Sequence, residues 1–185
     1  MKWYRYILIF ILCVSCQMHT KPSEIKSSDE NLSLKNGVLH YLEYPFYGKL
    51  IDSYETDILI LEVEYVNGRK HGYERKRYKN GNLAEERYYT KGKKSGIHKG
   101  WYKNNRQKFE YYFNTLGEYN GSAKEWYNSG QLYTDFNFKN GKETGSQKMW
   151  QADGKIRANF VVKNGERFGL IGLKKCNSVN STEKI

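Results

Sequence analysis

Four acidic residues recur along the chain at nearly constant spacing and could carry acid–base chemistry. They are separated by 24, 24 and 25 residues (86−62, 110−86, 135−110) and are Glu62, Glu86, Glu110 and Asp135. A catalytic carboxylate pair needs a separation of about 5–9.5 Å and two different environments, which separate the two pKa values. The strand register derived below places a cation beside each acid in similar surroundings. We therefore expect structural ion pairs here rather than an acid–base catalyst.

The remaining reactive side chains form no catalytic or metal-binding pattern. The histidines are scattered and have no cysteine cluster beside them, so we predict no metal site and no cofactor; they are His19, His40, His71 and His98. The chain contains no G-x-S-x-G elbow for a nucleophilic serine. The frequent N-G-x-x-x-G frames are not phosphate loops, because such a loop opens a helix and no segment here has a helical pattern. We predict that the protein is not an enzyme.

The N-G-x-x-x-G frames instead mark a repeat. Their closing glycines are 24, 25, 24 and 24 residues apart and are Gly72, Gly96, Gly121, Gly145 and Gly169. So strict a period indicates a repeat architecture. The hydrophobic share of 38% is low for a compact domain and suits an array in which each unit packs only on its neighbours.

Each repeat reads as a β-hairpin. Asn80-Gly81 favours a two-residue type I′ turn, and the N-G-x-x-x-G frame then supplies a second turn that leads into the next hairpin. The pairs equivalent to Asn80-Gly81 are Thr56-Asp57, Asn104-Asn105, Ser129-Gly130 and Asp153-Gly154. The predicted fold is all-β: about five hairpins over residues 48–169 in a single-layer antiparallel meander, with an added strand before them and residues 170–175 closing the end.

Folding about Asn80-Gly81 assigns the side chains to two faces. It pairs Arg75 with Glu86, Lys76 with Glu85, Arg77 with Ala84 and Tyr78 with Leu83. One face is apolar and includes Val63, Tyr111, Phe136 and Phe160, followed by Tyr65, Tyr89, Phe113, Phe138 and Val162. The opposite face pairs Lys99 with Glu110, Lys124 with Asp135, Lys148 with Asn159, Trp101 with Lys108, Trp126 with Tyr133 and Trp150 with Arg157.

The tryptophans on the charged face are the candidate binding surface. Tryptophan and arginine are enriched at binding hot spots. The surface comprises Trp101, Trp126 and Trp150, flanked by Lys99, Lys124, Lys148 and Arg157. The alternative is that each tryptophan only covers its cross-strand neighbour.

The N-terminus resembles a bacterial lipoprotein signal. Lys2 and Arg5 precede an apolar run at residues 7–14, which ends at Cys16. Residues 1–15 would be the signal peptide and Cys16 the acylated first residue; an ordinary secretory signal or an uncleaved anchor is the alternative. Residues 16–36 are expected to form a flexible tether, residues 37–175 the array and residues 176–185 a mobile tail. Once Cys16 is acylated, Cys176 has no intramolecular disulfide partner.

Charge and export together restrict the partners. The net charge of +11 favours acidic partners, which are anionic lipid, nucleic acid or an acidic protein. An exported chain rarely meets nucleic acid, so we expect none. The expected location is the bacterial envelope, at the outer membrane, with attachment through the lipid anchor and contact with an unknown envelope protein or anionic surface.

The repeat itself resembles a known motif. Residues 67–73, N-G-R-K-H-G-Y, resemble the core of the MORN motif, and residues 125–132, E-W-Y-N-S-G-Q-L, are similar to the variant repeats of bacterial MORN proteins. The resemblance covers about residues 37–172 and implies stacked hairpins. The MORN motif has a further glycine two residues after the frame, where this chain has Glu74, His98, Ala123 and Gln147.

The resemblance implies a non-catalytic scaffold that binds protein or membrane. Similar chains are often labelled "YwqK-family antitoxin" or "membrane-binding protein". The expected function is that of a membrane-anchored envelope lipoprotein with a binding role. An antitoxin-like protein that neutralises a toxin by direct binding, or a purely structural spacer, is the alternative.

Overall fold

The computed structural model describes residues 24–53 and 58–172, which form sixteen strands and no helix. The signal peptide, Cys16, the turn at Thr56-Asp57 and Cys176 with the predicted tail lie outside the described residues. The strands are β1 Glu24–Lys26, β2 Leu32–Lys35, β3 Val38–Tyr41, β4 Tyr44–Pro45, β5 Gly48–Ser53, β6 Ile58–Val66, β7 Arg69–Tyr78, β8 Leu83–Thr90, β9 Lys93–Lys94, β10 Gly96–Trp101, β11 Gln107–Phe113, β12 Tyr119–Trp126, β13 Leu132–Lys139, β14 Lys142–Trp150, β15 Ile156–Lys163 and β16 Glu166–Leu170.

One large sheet contains most of these strands. From β5 to β16 each strand pairs antiparallel with the next in sequence, except that the two-residue β9 pairs only with β8, and β8 then pairs with β10. β1 lies outside β5 and runs parallel to it, whereas β2, β3 and β4 form a separate small sheet. The predicted all-β meander of five hairpins with a closing strand is confirmed.

Residues 24–36 differ from the prediction of a flexible tether, because they contribute β1 and β2. Ile25 is buried and lies in register with Leu50 of β5. The small sheet packs against the large one through Phe46, which is 2% exposed and contacts the ring of Tyr65 at 5.8 Å between centroids. The N–H of Gly68 donates to the Phe46 carbonyl at 2.7 Å. Burial of these apolar side chains orders a segment whose polar composition suggested disorder.

The two kinds of turn are the reverse of the sequence prediction. At Asn80-Gly81 only Gly81 has a positive φ, of 85°, and its N–H donates to the carbonyl of Tyr78. This is a type I turn followed by a left-handed residue, which makes a three-residue loop. The side-chain oxygen of Asn80 accepts a hydrogen bond from the N–H of Asn82 at 3.1 Å. The same bonding recurs at Asn104-Asn105, Ser129-Gly130 and Asp153-Gly154.

The type I′ turns occur at the start of the N-G-x-x-x-G frames and of one similar pair. In these pairs both residues have positive φ, from 49° to 84°, as the type I′ turn requires. They are Asn36-Gly37, Asn67-Gly68, Lys91-Gly92, Asn140-Gly141 and Asn164-Gly165. The frame therefore does contain the second turn, as predicted, but its turn type was assigned to the other end of the hairpin.

The loop type shifts part of the register. Arg75 faces Glu86 and Lys76 faces Glu85, as predicted, but Arg77 faces Leu83 because Ala84 is an extra residue in a bulge. The same bulge recurs in the later hairpins. There Trp101 faces Gln107, Trp126 faces Leu132 and Trp150 faces Ile156, which corrects the predicted partners Lys108, Tyr133 and Arg157.

The closing glycines lie at wider bulges inside the strands. Asn137 of β13 stands opposite residues 144–146 of β14, and Gly145 has a φ of 65° there. Gln147, with no exposed surface, bridges this interruption. Its amide nitrogen donates to the carbonyls of Asn137 (2.8 Å) and Thr144 (3.0 Å), and its amide oxygen accepts from the N–H of Asn137 at 3.1 Å. A side chain thus satisfies backbone groups that the bulge removes from the ladder.

The single 25-residue spacing, between Gly96 and Gly121, is absorbed in a turn. β11 and β12 are joined by residues 114–118, where the N–H of Gly117 donates to the Asn114 carbonyl and the N–H of Asn114 donates to the Glu118 carbonyl. This is the three-residue loop in place of a type I′ turn, so the extra residue leaves both strands in register.

Candidate binding surface

The two faces of the large sheet differ in packing. We call the side that carries Val63 and Phe160 the inner face and the opposite side the outer face. Most buried apolar side chains of the large sheet lie on the inner face: Val63, Tyr89, Phe109, Phe113, Ala123, Ala158, Phe160 and Val162. Aromatic rings cover one another across its strands, as in Phe113–Tyr119 at 4.6 Å and Tyr119–Phe138 at 5.1 Å between centroids. The better-packed face is the one that the sequence predicts to be apolar.

Buried polar side chains also lie on the inner face. Glu74 pairs with Lys70, and His98 is 2% exposed with its Nε2 at 2.8 Å from the Tyr88 carbonyl oxygen. Burial lowers the pKa of His98 below its ordinary value, and the bond to Tyr88 only partly opposes this. These residues occupy the position two after the closing glycine, where the MORN motif has a further glycine. Their contacts are internal and serve the packing of the sheet.

A row of alternating charges crosses the outer face. It contains one residue from each strand in succession: Glu62, Arg75, Glu86, Lys99, Glu110, Lys124, Asp135 and Lys148. Arg75 and Glu86 lie 2.8 Å apart, Lys99 and Glu110 3.2 Å, and Lys124 and Asp135 3.9 Å. The spaced acids are thus half of a charge ladder.

The ladder holds its acids in the ionised form. Burial acts to raise the pKa of Glu110, but hydrogen bonds from Lys99, Gln107 and Tyr112 outweigh it and keep the pKa below its ordinary value. A general acid would need the opposite shift. This geometry agrees with the expectation of structural ion pairs.

The three predicted tryptophans stand in a row on the outer face, at the ends of β10, β12 and β14. Each is half-buried. Because alternate strands carry them, they are about 10 Å apart per step. Their backbone carbonyls accept hydrogen bonds from tyrosine hydroxyls of the preceding repeat: Tyr78 to Trp101 (2.8 Å), Tyr102 to Trp126 (2.7 Å) and Tyr127 to Trp150 (3.1 Å).

Sequence reasoning missed this link between repeats. The signal that could have found it is a tyrosine at the same repeat position in three successive units, which Gln151 replaces in the fourth. Burial raises the pKa of Tyr78 and of Tyr102, in keeping with their role as neutral donors.

The predicted cations differ in their surroundings. Lys99 and Lys124 belong to the charge row, whereas Lys148 and Arg157 are exposed. The predicted alternative partners of the tryptophans also contact other rings. The ammonium of Lys108 lies over Tyr102 at 5.7 Å, and the ring of Tyr133 packs on Tyr127 at 5.0 Å.

Two of the predicted residues, Trp101 and Lys99, line a shallow cavity of about 560 Å³, which we call the outer groove. Its other walls are Tyr73, Leu83, Glu86, Tyr88, Gly96 and Ile97. Tyr73 and Ile97 are 38% and 41% exposed. Trp126, Trp150, Lys124, Lys148 and Arg157 share the face but do not line this groove.

A second cavity of about 780 Å³, the second compartment, adjoins the outer groove and shares Tyr73 and Tyr88 with it. These two rings meet edge-on at 5.1 Å between centroids and form a ridge between the cavities. Tyr47, which is 55% exposed, lies on the far side of the ridge. Sequence reasoning missed this site.

The signal that could have located the site is the residue after each closing glycine. It is apolar in Tyr73 and Ile97 but serine in Ser122 and Ser146. The groove is therefore confined to the first hairpins of the array.

The described residues suit non-covalent binding. Residues 24–53 and 58–172 contain no group of three or more His, Cys, Asp or Glu side chains that could hold a metal ion. The same part of the chain has no helix of sufficient length and hydrophobicity to cross a bilayer. The chain matches no model of a known protein family, and it matches no curated protein.

Proposed function

We propose that this chain is a non-catalytic binding module of the bacterial envelope, exported and held at the membrane by an acylated Cys16, with the outer face of its MORN-like hairpin array as the contact surface. The observation that carries the proposal is the one-sided packing of the large sheet. The inner face buries its aromatic rings, whereas the outer face keeps a tryptophan row and an aromatic groove accessible.

The rigidity of the surface favours binding over a spacer role. Each tryptophan is fixed at its backbone by a tyrosine of the preceding repeat, and the neighbouring charges are held in cross-strand pairs. Such a surface loses little conformational entropy when a partner docks. A spacer would need neither exposed rings nor a groove.

The test is capture of the partner by the native envelope protein. The lipidated full-length chain is cross-linked in its host membrane, and the species that co-purifies is compared between wild type, Trp126→Ala and the control Lys155→Ala. Lys155 is exposed and lies at a hairpin turn away from the tryptophan row. We expect Trp126→Ala to abolish capture, because hot-spot tryptophans contribute about 2–4 kcal/mol, and Lys155→Ala to have no effect.

Circular dichroism separates the possible failures. The Trp126→Ala protein should keep the strand spectrum of the wild type, because the Trp126 group that bonds to Tyr102 is a backbone carbonyl. A folded Trp126→Ala protein that still captures its partner would place the functional surface elsewhere. Loss of the strand spectrum would show that the tryptophan row is structural.

A further inference from the structure

We infer that the outer groove and the second compartment together bind a proline-rich segment of another protein in the polyproline II conformation. This inference rests on the proposed function, because it names the chemistry of the partner for the same face. The two cavities lie on either side of the Tyr73–Tyr88 ridge and together exceed the size of a usual small-molecule site of about 300–1,000 Å³. An elongated ligand that crosses the ridge fits them better than a compact one.

The spacing of the strands matches the polyproline II helix. The outer groove lies over β8 and β10, and the second compartment lies over β6 and β7, so the two are about two strands, or roughly 9.5 Å, apart. One turn of polyproline II contains three residues with a rise of about 3.1 Å each, which gives about 9.3 Å. Prolines three residues apart would therefore enter the two cavities in succession.

The lining offers what this ligand lacks. A polyproline II segment has no internal hydrogen bonds, so its carbonyls need donors, and domains that recognise it supply them from aromatic-lined grooves. Here the ring groups are Tyr47, Tyr73, Tyr88 and Trp101, which carry three hydroxyl donors and one indole N–H. The floor is a paired sheet, whose backbone groups are already used in the ladder, so specificity has to come from these side chains.

The charge of the site complements an uncharged ligand. Glu24 pairs with Lys49 at 3.9 Å, and Glu86 and Lys99 pair with their neighbours in the charge row. Proline-rich segments are uncharged along their core. The ligand comes from another protein, because this chain contains only two prolines, Pro22 and Pro45, which are 23 residues apart (45−22).

The test is a titration of the full-length chain, in detergent, with decaproline as the probe and a glycine–serine decamer as the control peptide. The matched variants are Ile97→Glu, inside the groove, and Ser122→Glu, at the same repeat position one unit later. Both positions lie on the outer face, so both variants should fold. We expect saturable binding of decaproline only, weakened at least about tenfold by Ile97→Glu and unchanged by Ser122→Glu.

Three outcomes would overturn the inference: no saturable binding of decaproline, equal effects of the two variants, or binding of a β-linked hexasaccharide in preference to decaproline, which would assign the groove to glycan. Failure of the inference is distinguishable from failure of the proposed function. If decaproline does not bind but Ile97→Glu still abolishes the cross-link to the envelope partner, the proposed function stands and only the proline-rich ligand is wrong.

Discussion

Replacing Tyr102 by phenylalanine tests whether tyrosine hydroxyls couple neighbouring repeats. The change removes a 2.7 Å hydrogen bond to the Trp126 carbonyl without altering the ring. A neutral hydrogen bond contributes about 0.5–1.5 kcal/mol net to folding. Tyr78, Tyr102 and Tyr127 lie about 10 Å apart and share no partner, so their effects should add to about 3 kcal/mol in the triple variant. For a chain of this size that loss lowers Tm by roughly 6–12 °C.

The assay is urea denaturation followed by far-ultraviolet circular dichroism, with Tyr44→Phe, at an exposed tyrosine of the small sheet, as the control. The midpoint should fall for Tyr102→Phe while the slope with urea stays unchanged, because the surface exposed on unfolding is the same. A loss no greater than that of Tyr44→Phe would refute the reasoning. So would a triple variant no less stable than the single one.

Three further predictions concern other parts of the chain. Cys16→Ser should abolish incorporation of labelled fatty acid and release the protein from the membrane fraction, and an unlabelled wild type would contradict the lipoprotein assignment. Exchanging Lys124 and Asp135 should recover less than half of the stability that each reversal removes, because the new aspartate would face Glu110; a double-mutant cycle measures this coupling, expected at about 0.2–1 kcal/mol. Because the folded-state pKa of His98 is depressed, its contribution to stability is present above the unfolded value of about 6.5 and is lost as the pH falls below it. His98→Gln should flatten that part of the pH–stability curve, and an unchanged curve would exclude His98 as its cause.

The strand register was predictable where the strands are regular. The pairs Arg75–Glu86 and Lys124–Asp135 lie in the middle of hairpins, so counting from either turn gives nearly the same partner. The turn types were not assigned correctly, because an Asn-Gly pair suits both kinds of loop. Ser129 and Asp153 held the missing information, since their side chains act as acceptors in the three-residue loop rather than favouring the left-handed region.

The site was predictable only in part. Trp101 and Lys99 were identified from residue type, but the groove also needs Tyr73, Tyr88 and Ile97 from three different strands. Two bulges lie between these residues and the turns from which the register is counted, so a sequence count does not bring them together. The small sheet was missed for a different reason. Phe46 and its partners occur once and have no counterpart in the repeats.

The loop that absorbs the extra residue between Gly96 and Gly121 has a consequence for how such a chain changes in evolution. A hairpin can gain a residue by exchanging one turn type for another, so small insertions need not disturb neighbouring units. Whole repeats can then be duplicated or lost as modules, each of which lengthens or shortens the array by about 10 Å. An open meander of this kind works as an adjustable ruler. The distance from its anchored end to its far edge is set by the number of repeats, independently of the chemistry on its faces.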